Sequence, residues 1–220
     1  MLSHDNIYWS AMMGIKTLKL RSKAEVAISY LPLSHVAGIV CDMFITLLSM
    51  ATVVFADKMA LKGTLVDTLK EARPTVFLGV PRVWEKIMEG MQDKGRATKG
   101  LKRRVAVACK NAGLKYHLQN KNTIMYTVGQ KAIYGKVREA LGFDRCRLFI
   151  SAAAPIGQET LKYFLGFDIV IHEGYGMSET TGPHCLMVGD IPKLGCVGKA
   201  IAGVETVSYT HLTLPTNREV

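Results

Sequence analysis

Five short runs rich in β-branched and aromatic residues punctuate the chain: "EVAISY" (25–30), "ATVVFA" (51–56), "TVFLGV" (75–80), "CRLFIS" (146–151) and "DIVIHEG" (168–174). Each has the length and composition of a buried strand, and longer stretches with helical spacing of apolar residues separate most of them. Strands joined by crossovers that long pair in parallel, because a hairpin would need only a few residues between them. The alternation therefore predicts an α/β fold with a mostly parallel sheet flanked by helices. Its ligand sites should lie in the loops that leave the carboxyl ends of the strands.

Helix signals fill the gaps. Ser3 is placed to cap "HDNIYWSAMMGIKTL", "LKGTLVDTLKEAR" (61–73) follows the second strand, and "RVWEKIMEGM" (82–91) opens just after Pro81. Further helices are predicted over "MYTVGQKAIYGKVREALG" (125–142) and "IGQETLKYFLG" (156–166). The longest apolar stretch, 36–56, is long enough to cross a bilayer, but Asp42 lies inside it. A charged residue there costs about 2.5–3.5 kcal/mol at a membrane centre. The run also changes from helical spacing to β-branched alternation, so a buried helix over 38–50 and a core strand are predicted, with no transmembrane span.

The formal charge of +10 is concentrated. Residues Lys94–Lys121 hold nine Lys or Arg and no acid, on a segment where Leu101, Val105, Cys109 and Ala112 repeat at helical spacing. Lys102, Arg103 and Lys110 are expected to face outward. Three readings of this helix stay open: a solvated face, contact with an anionic membrane surface, and contact with nucleic acid. No groove-reading motif accompanies the charge, so nucleic acid is not expected as a partner. The five cysteines show no paired spacing and "MLSHDNIYWS" has no signal-peptide order, which points to a reducing, cytoplasmic setting.

Three loops are chemically unusual: "LPLSHVAG" after the first strand, "SAAAP" after "CRLFI", and "GYGMSETTG" after "DIVIHE". Small residues let backbone amides approach a ligand, and hydroxyls can donate to phosphate oxygens. Tyr175 offers a face for a base, Ser178 and Thr180 offer hydroxyls, and Glu179 offers a hard carboxylate suited to Mg2+. A nucleotide fits that description. His172, His184, Cys185 and Cys196 match no zinc spacing.

"YGMSETTGPH" resembles the signature Y-G-x-T/S-E of the adenylate-forming (acyl-activating) superfamily, and "ISAAAPIGQETLKYF" resembles its adenine loop. With "YLPLSHVAG", "ALKGTLVDTLKEARPTVFLGVPRVWEKI" and "GLKRRVAVACKNAG", the chain is similar to long-chain fatty acid CoA ligases, above all their bubblegum subfamily, over about Met1 to Val204. The resemblance implies part of the large N-terminal domain of such an enzyme. It also implies ATP, Mg2+ and CoA: a fatty carboxylate attacks ATP to give acyl-AMP, and the CoA thiol then displaces AMP. Carried over, Glu179 would ligate Mg2+, Tyr175 would stack on adenine, and Ser178 and Thr180 would contact the phosphate region. Ala152, Ala153, Ala154 and Pro155, with Glu173, Gly174 and Gly176, would line the adenine pocket, and His35 would stand beside the acyl and thioester site.

The sequence departs from the pattern where Ser178 replaces threonine and Ala152 replaces a glycine, a methyl that would narrow the approach to adenine. The family's phosphate loop belongs just before "MLSHDN", and its ribose-binding aspartate and C-terminal lysine after "GCVGKAIAGVE". The expectation is thus a central fragment over 1–206, inactive by itself, followed by a non-native or misassembled tail over 207–220. A non-catalytic nucleotide- or acyl-binding module, and a peripheral membrane or nucleic-acid module acting through Lys94–Lys121, are the alternatives from other classes. Peripheral attachment to the endoplasmic reticulum or another membrane is compatible with the first reading.

Overall fold

A computed structural model describes residues 1–187, 189 and 193–207, so the tail expected over 207–220 lies, apart from Val207, outside the described residues. Ser3 caps α1 (His4–Leu18) as expected: its hydroxyl accepts from Asn6 N at 3.1 Å, and Asn6 Oδ1 accepts from Ser3 N at 2.9 Å. The next elements are β1 (Val26–Ser29), a π-helical segment Gly38–Ile45 that continues into α2 (Thr46–Ser49), and β2 (Thr52–Phe55). The apolar run 36–56 is thus helix then strand, and none of the described helices is long and apolar enough to cross a membrane.

α3 (Leu65–Ala72), β3 (Val76–Gly79) and α4 (Pro81–Ala97) follow, α4 with its proline at the first turn, where no amide donor is needed. The basic segment forms α5 (Gly100–Gln119). α6 (Ile124–Gly129) and α7 (Gly135–Leu141) are one run joined by a π-helical stretch, Gln130–Tyr134. β4 (Leu148–Ser151), α8 (Gln158–Leu165), β5 (Ile171–Met177), β6 (Gly182–Leu186) and β7 (Lys199–Ala200) complete the fold.

β3, β4 and β5 run parallel in that order, and β6 and β7 extend the sheet antiparallel. β1 and β2 form a separate parallel pair. That pair is stitched to β3: Thr75 N donates to Val26 O and Thr75 Oγ1 accepts from Val26 N, both at 2.9 Å, while Tyr30 OH donates to Leu78 O at 2.9 Å.

One sheet face carries Phe77, Phe149 and Ile171 into a core with Trp84, Phe143 and Phe164. Trp84 is its hub, with ring centroids at 5.3 Å from Phe77 and 5.2 Å from Phe164, and its Nε1 donates to Gly79 O (3.2 Å) and Ile150 O (3.3 Å). The other face, with Val76, Leu78, Leu148, Ile150 and Leu186, packs against α1 residues Met13 and Leu18 and against Ile201.

Three expectations are corrected. The stretch after "DIVIHE" was expected as a loop, yet it is a β-hairpin, because β5 continues through Met177 and β6 returns beside it. Gly176 is a condition for this close pairing: a Cβ there would sit 2.1 Å from Gly182 O. Leu101 was expected on the buried stripe of α5 but is 73% exposed at the helix start, before the packed part begins. Lys110 was expected to face outward, yet its ammonium lies 3.8 Å from the Tyr163 ring centroid, since the aromatic face holds the cation while the stem covers Gly166.

Truncating the hub tests how the two strand ends are held. Trp84→Ala is expected to destabilise the chain by about 3–5 kcal/mol in urea unfolding. Trp84→Phe should lose less but still leave Gly79 O and Ile150 O short of a donor, and equal stabilities for wild type and both variants would contradict this account.

Candidate functional site

β4 and β5 are neighbours in register, with Ser151 opposite Glu173, so the chain leaves both strands side by side. The alanine loop 152–155 and the start of the hairpin meet there: a Cβ built on Gly174 would stand 3.7 Å from the Ala152 Cβ. The left-handed residue of this loop is Ala153 (φ 75°), one position after Ala152. The loop after β1 completes the rim. His35 is exposed, and its Nδ1 accepts from Ala37 N at 3.2 Å at the entrance to the π-helical segment. Gly38 allows that entrance to fold back, since a Cβ there would lie 2.6 Å from Pro32 O.

The hairpin tip is a single 3-10 turn, Ser178–Thr180, ending on Thr181 in left-handed conformation. Thr180 Oγ1 lies 3.1 Å from Met177 O and 3.0 Å from Gly182 O and accepts from Met177 N at 3.3 Å, so this hydroxyl closes the turn. Ser10 on α1, buried, donates to Thr181 O at 2.8 Å and pins the tip from below. Ser178 and Glu179 are left exposed on the turn. Tyr175 is 46% exposed, with its ring edge-to-face to His184 at 6.1 Å between centroids.

His35, Ala152, Ala153, Gly174, Tyr175 and Gly176 border one cavity of about 150 Å³ between the sheet and the helices α1 and Gly38–Ile45. Its deeper wall is aliphatic, with Leu18, Leu20, Ile28, Ile45, Leu78 and Ile150. Ala154 and Pro155 are exposed beyond the rim, and Ser178, Glu179 and Thr180 stand on the tip outside the lining. Glu173 is not in the lining. Its carboxylate is buried and accepts from Gly195 N at 2.9 Å, with a further bond from the Cys196 amide, and burial still raises its pKa. It secures the turn after β6 rather than facing the cavity.

Glu179 fits a Mg2+ ion that arrives with a nucleotide. It is an exposed carboxylate with no cationic partner among the described residues, and Mg2+ commonly takes one or two protein carboxylates with phosphate oxygens and water. No group of three or more His, Cys, Asp or Glu among the described residues could hold a metal alone.

A family model described as AMP-binding enzyme matches residues 1–207. The chain is 44% identical over 214 residues to long-chain-fatty-acid–CoA ligase ACSBG2 of Xenopus laevis, covering 94% of this chain and 29% of that protein. It is 42% identical over 214 residues to the human ACSBG2 (95% and 32%) and 40% identical over 210 residues to ACSBG1 of Rattus norvegicus (92% and 29%). It therefore spans 29 to 32% of the length of these curated relatives. Among solved structures, apo MatB from Rhodopseudomonas palustris superposes with a TM-score of 0.61 at 22% identity, over 92% of this chain and 31% of that one. The N-terminal domain of FACL13 from Mycobacterium tuberculosis gives 0.60 at 15% identity, over 91% and 40%. The expected α/β fold is the one found.

Two groups were not anticipated at the site: Ser10, which holds the hairpin, and Asp42 in the cavity wall, noted in the sequence only as an obstacle to membrane insertion. Burial lifts the Asp42 carboxyl to about 6 against a smaller opposing pull from the Ser29 hydroxyl, and Asp42 Oδ2 is buried without a hydrogen-bond partner. The folded chain thus binds this proton more tightly than the unfolded one, whose aspartate titrates near 3.9. The associated stability is full below about pH 4 and is lost as pH rises through about 6, on the order of 2 kcal/mol. Asp42→Asn is expected to unfold at higher denaturant than wild type at pH 7.5, and the gap should shrink towards pH 4. Parallel pH profiles for the two proteins would contradict that.

Proposed function

The chain belongs to the AMP-binding enzyme family, and from that premise we propose that it is the nucleotide- and acyl-handling part of a long-chain or very-long-chain fatty acid CoA ligase. The observation that carries the reading is the convergence of three strand-end loops on the rim of one aliphatic cavity. A hydrocarbon chain has a mostly aliphatic wall to lie against, broken by the carboxyls of Glu25 and Asp42, and the strand-end loops bring polar groups to the mouth.

In this reading the fatty carboxylate attacks the α-phosphate of ATP, pyrophosphate leaves, and the CoA thiol later displaces AMP from the acyl-AMP. Adenylation is needed because a carboxylate oxygen is a poor leaving group and AMP a good one. Tyr175 stacks on the adenine at the rim, and the small side chains of Ala152, Ala153, Ala154, Pro155, Gly174 and Gly176 let main-chain groups approach it. Glu179 holds the Mg2+ that enters with ATP, and Ser178 reaches the phosphates. Thr180, engaged in its turn, keeps Glu179 presented rather than touching phosphate. Glu173 plays a positioning part through the turn at Gly195 and Cys196. His35 stands at the mouth, beside the acyl carboxylate and the incoming thiol. Fatty acid, ATP and CoA are the partners, in the cytoplasm and in peripheral contact with the endoplasmic reticulum or another membrane where such acids dissolve.

The test is binding of a fluorescent ATP analogue to the 220-residue chain, with and without Mg2+. Tyr175→Ala is expected to weaken binding about tenfold, since stacking on one base contributes about 1–3 kcal/mol. Glu179→Gln should keep the Mg2+-free affinity and lose the gain from Mg2+. Unchanged affinity in Tyr175→Ala, or the same Mg2+ gain in Glu179→Gln, would remove the assignment.

A further inference from the structure

We propose that the outward face of α5 is a docking surface for an anionic lipid bilayer, and that it lies flat along the headgroup region. This deepens the membrane contact named above and rests on that reading for its purpose, though not for its evidence.

The evidence begins with charge that has no internal use. Of the nine cations between Lys94 and Lys121, Arg96 pairs with Asp93 at 3.3 Å and Lys110 is folded onto Tyr163. Lys94, Lys99, Lys102, Arg103, Arg104, Lys115 and Lys121 have no acidic partner among the described residues. Lys102, Arg103 and Arg104 fall in the opening turns of a 20-residue helix, with no acid in the first turn and no side-chain cap at Lys99. Cations at that end oppose the helix dipole, and neighbouring cations repel one another. Both penalties are relieved by an external anionic surface.

The second observation is apolar. Cys109, Ala112 and Gly113 bury one side of α5, with a Cβ at Gly113 meeting Gly166 O at 2.6 Å. On the opposite side Val107 is 49% exposed and Leu118 45% exposed, with Leu114 half-buried between them. Helical spacing sets these three aliphatics in one stripe with Arg103, Arg104 and Lys115 beside it. Leu114, Lys115 and Leu118 border a shallow groove open to solvent. A stripe of oil flanked by cations suits the boundary of headgroups and acyl chains. Nucleic acid would be better served by exposed aromatics, and Tyr116 is instead stacked on Tyr126 at 4.0 Å.

The helix is also fixed before it binds. His117 Nε2 lies 2.8 Å from Asp168 Oδ1, which also accepts from Tyr126 OH at 3.1 Å, and Arg138 bonds the Asp168 carbonyl. The stripe therefore need not fold on contact.

Sedimentation of the intact chain with phosphatidylcholine vesicles, with and without phosphatidylserine, tests the surface. Binding is expected only with phosphatidylserine and should weaken as salt is raised. Arg103→Gln, Arg104→Gln and Lys115→Gln together should lower affinity on the order of a hundredfold. Val107→Ser with Leu118→Ser should weaken binding yet keep its salt dependence. Equal binding to neutral vesicles, full binding by the charge variant, or a stronger affinity for an oligonucleotide than for phosphatidylserine vesicles would overturn the proposal. The ATP-analogue assay, run on the unaltered chain, separates the two readings: no binding to phosphatidylserine vesicles while nucleotide binding persists sinks this inference alone, and the reverse sinks the ligase reading alone.

Discussion

The indole of Trp84 shares one N–H between Gly79 O on β3 and Ile150 O on β4, at the point where both strands run out. That position demands a glycine at 79, where a Cβ would stand 2.5 Å from the indole nitrogen. From this clamp the rest follows geometrically. β4 is held against β3, β5 takes its register from β4, and the loops that leave β4 and β5 have no choice but to emerge together. The rim of the cavity is thus set by packing on the opposite side of the sheet, within an aromatic cluster that touches no candidate ligand.

The parallel part of the fold was legible because it rests on signals each local to one segment. β-branched runs, a capping serine at residue 3, and a proline opening α4 all report on their own neighbourhood. What escaped was pairing that depends on distant backbone. β6 carries Pro183 and little alternation, and β5 is interrupted by Gly174 and Gly176, so sequence rules read a loop. At Gly176 the missing Cβ leaves room for the Gly182 carbonyl on β6, a reason that is visible only once β6 is known to run alongside. The π-helical segments escaped for a similar reason: Tyr134 reaches Cys109 O at 2.6 Å across a ring that crowds Gly129, and nothing in the spacing announces it.

Of the candidate site, the convergence of loops was legible and the division of labour within it was not. Glu173 and Tyr175 are two apart on one strand, which places both on one side in a regular sheet. The turn at Gly195 gives them different surroundings, Glu173 buried under amides and Tyr175 half in solvent. Thr180 shows the same limit. A hydroxyl beside an acid reads as a phosphate ligand, but local geometry offers it three backbone partners first.

Two carboxyl groups line the cavity and are driven in opposite directions. Burial would raise Glu25, but Arg147, Thr75 and the Arg21 amide bond to it and hold it below the usual carboxylate range, so it stays charged and paired. Asp42 has no such set of donors, and burial governs it. The electrostatic character of the cavity therefore depends on Asp42, because the charge on Glu25 is already matched by Arg147. On the proposed reading, an ionised Asp42 in the wall would repel a carboxylate that entered head first. The apolar tail carries no such penalty, so the same side chain that weakens the fold at neutral pH would favour the orientation that leaves the acyl carboxylate at the mouth, near His35 and Tyr175.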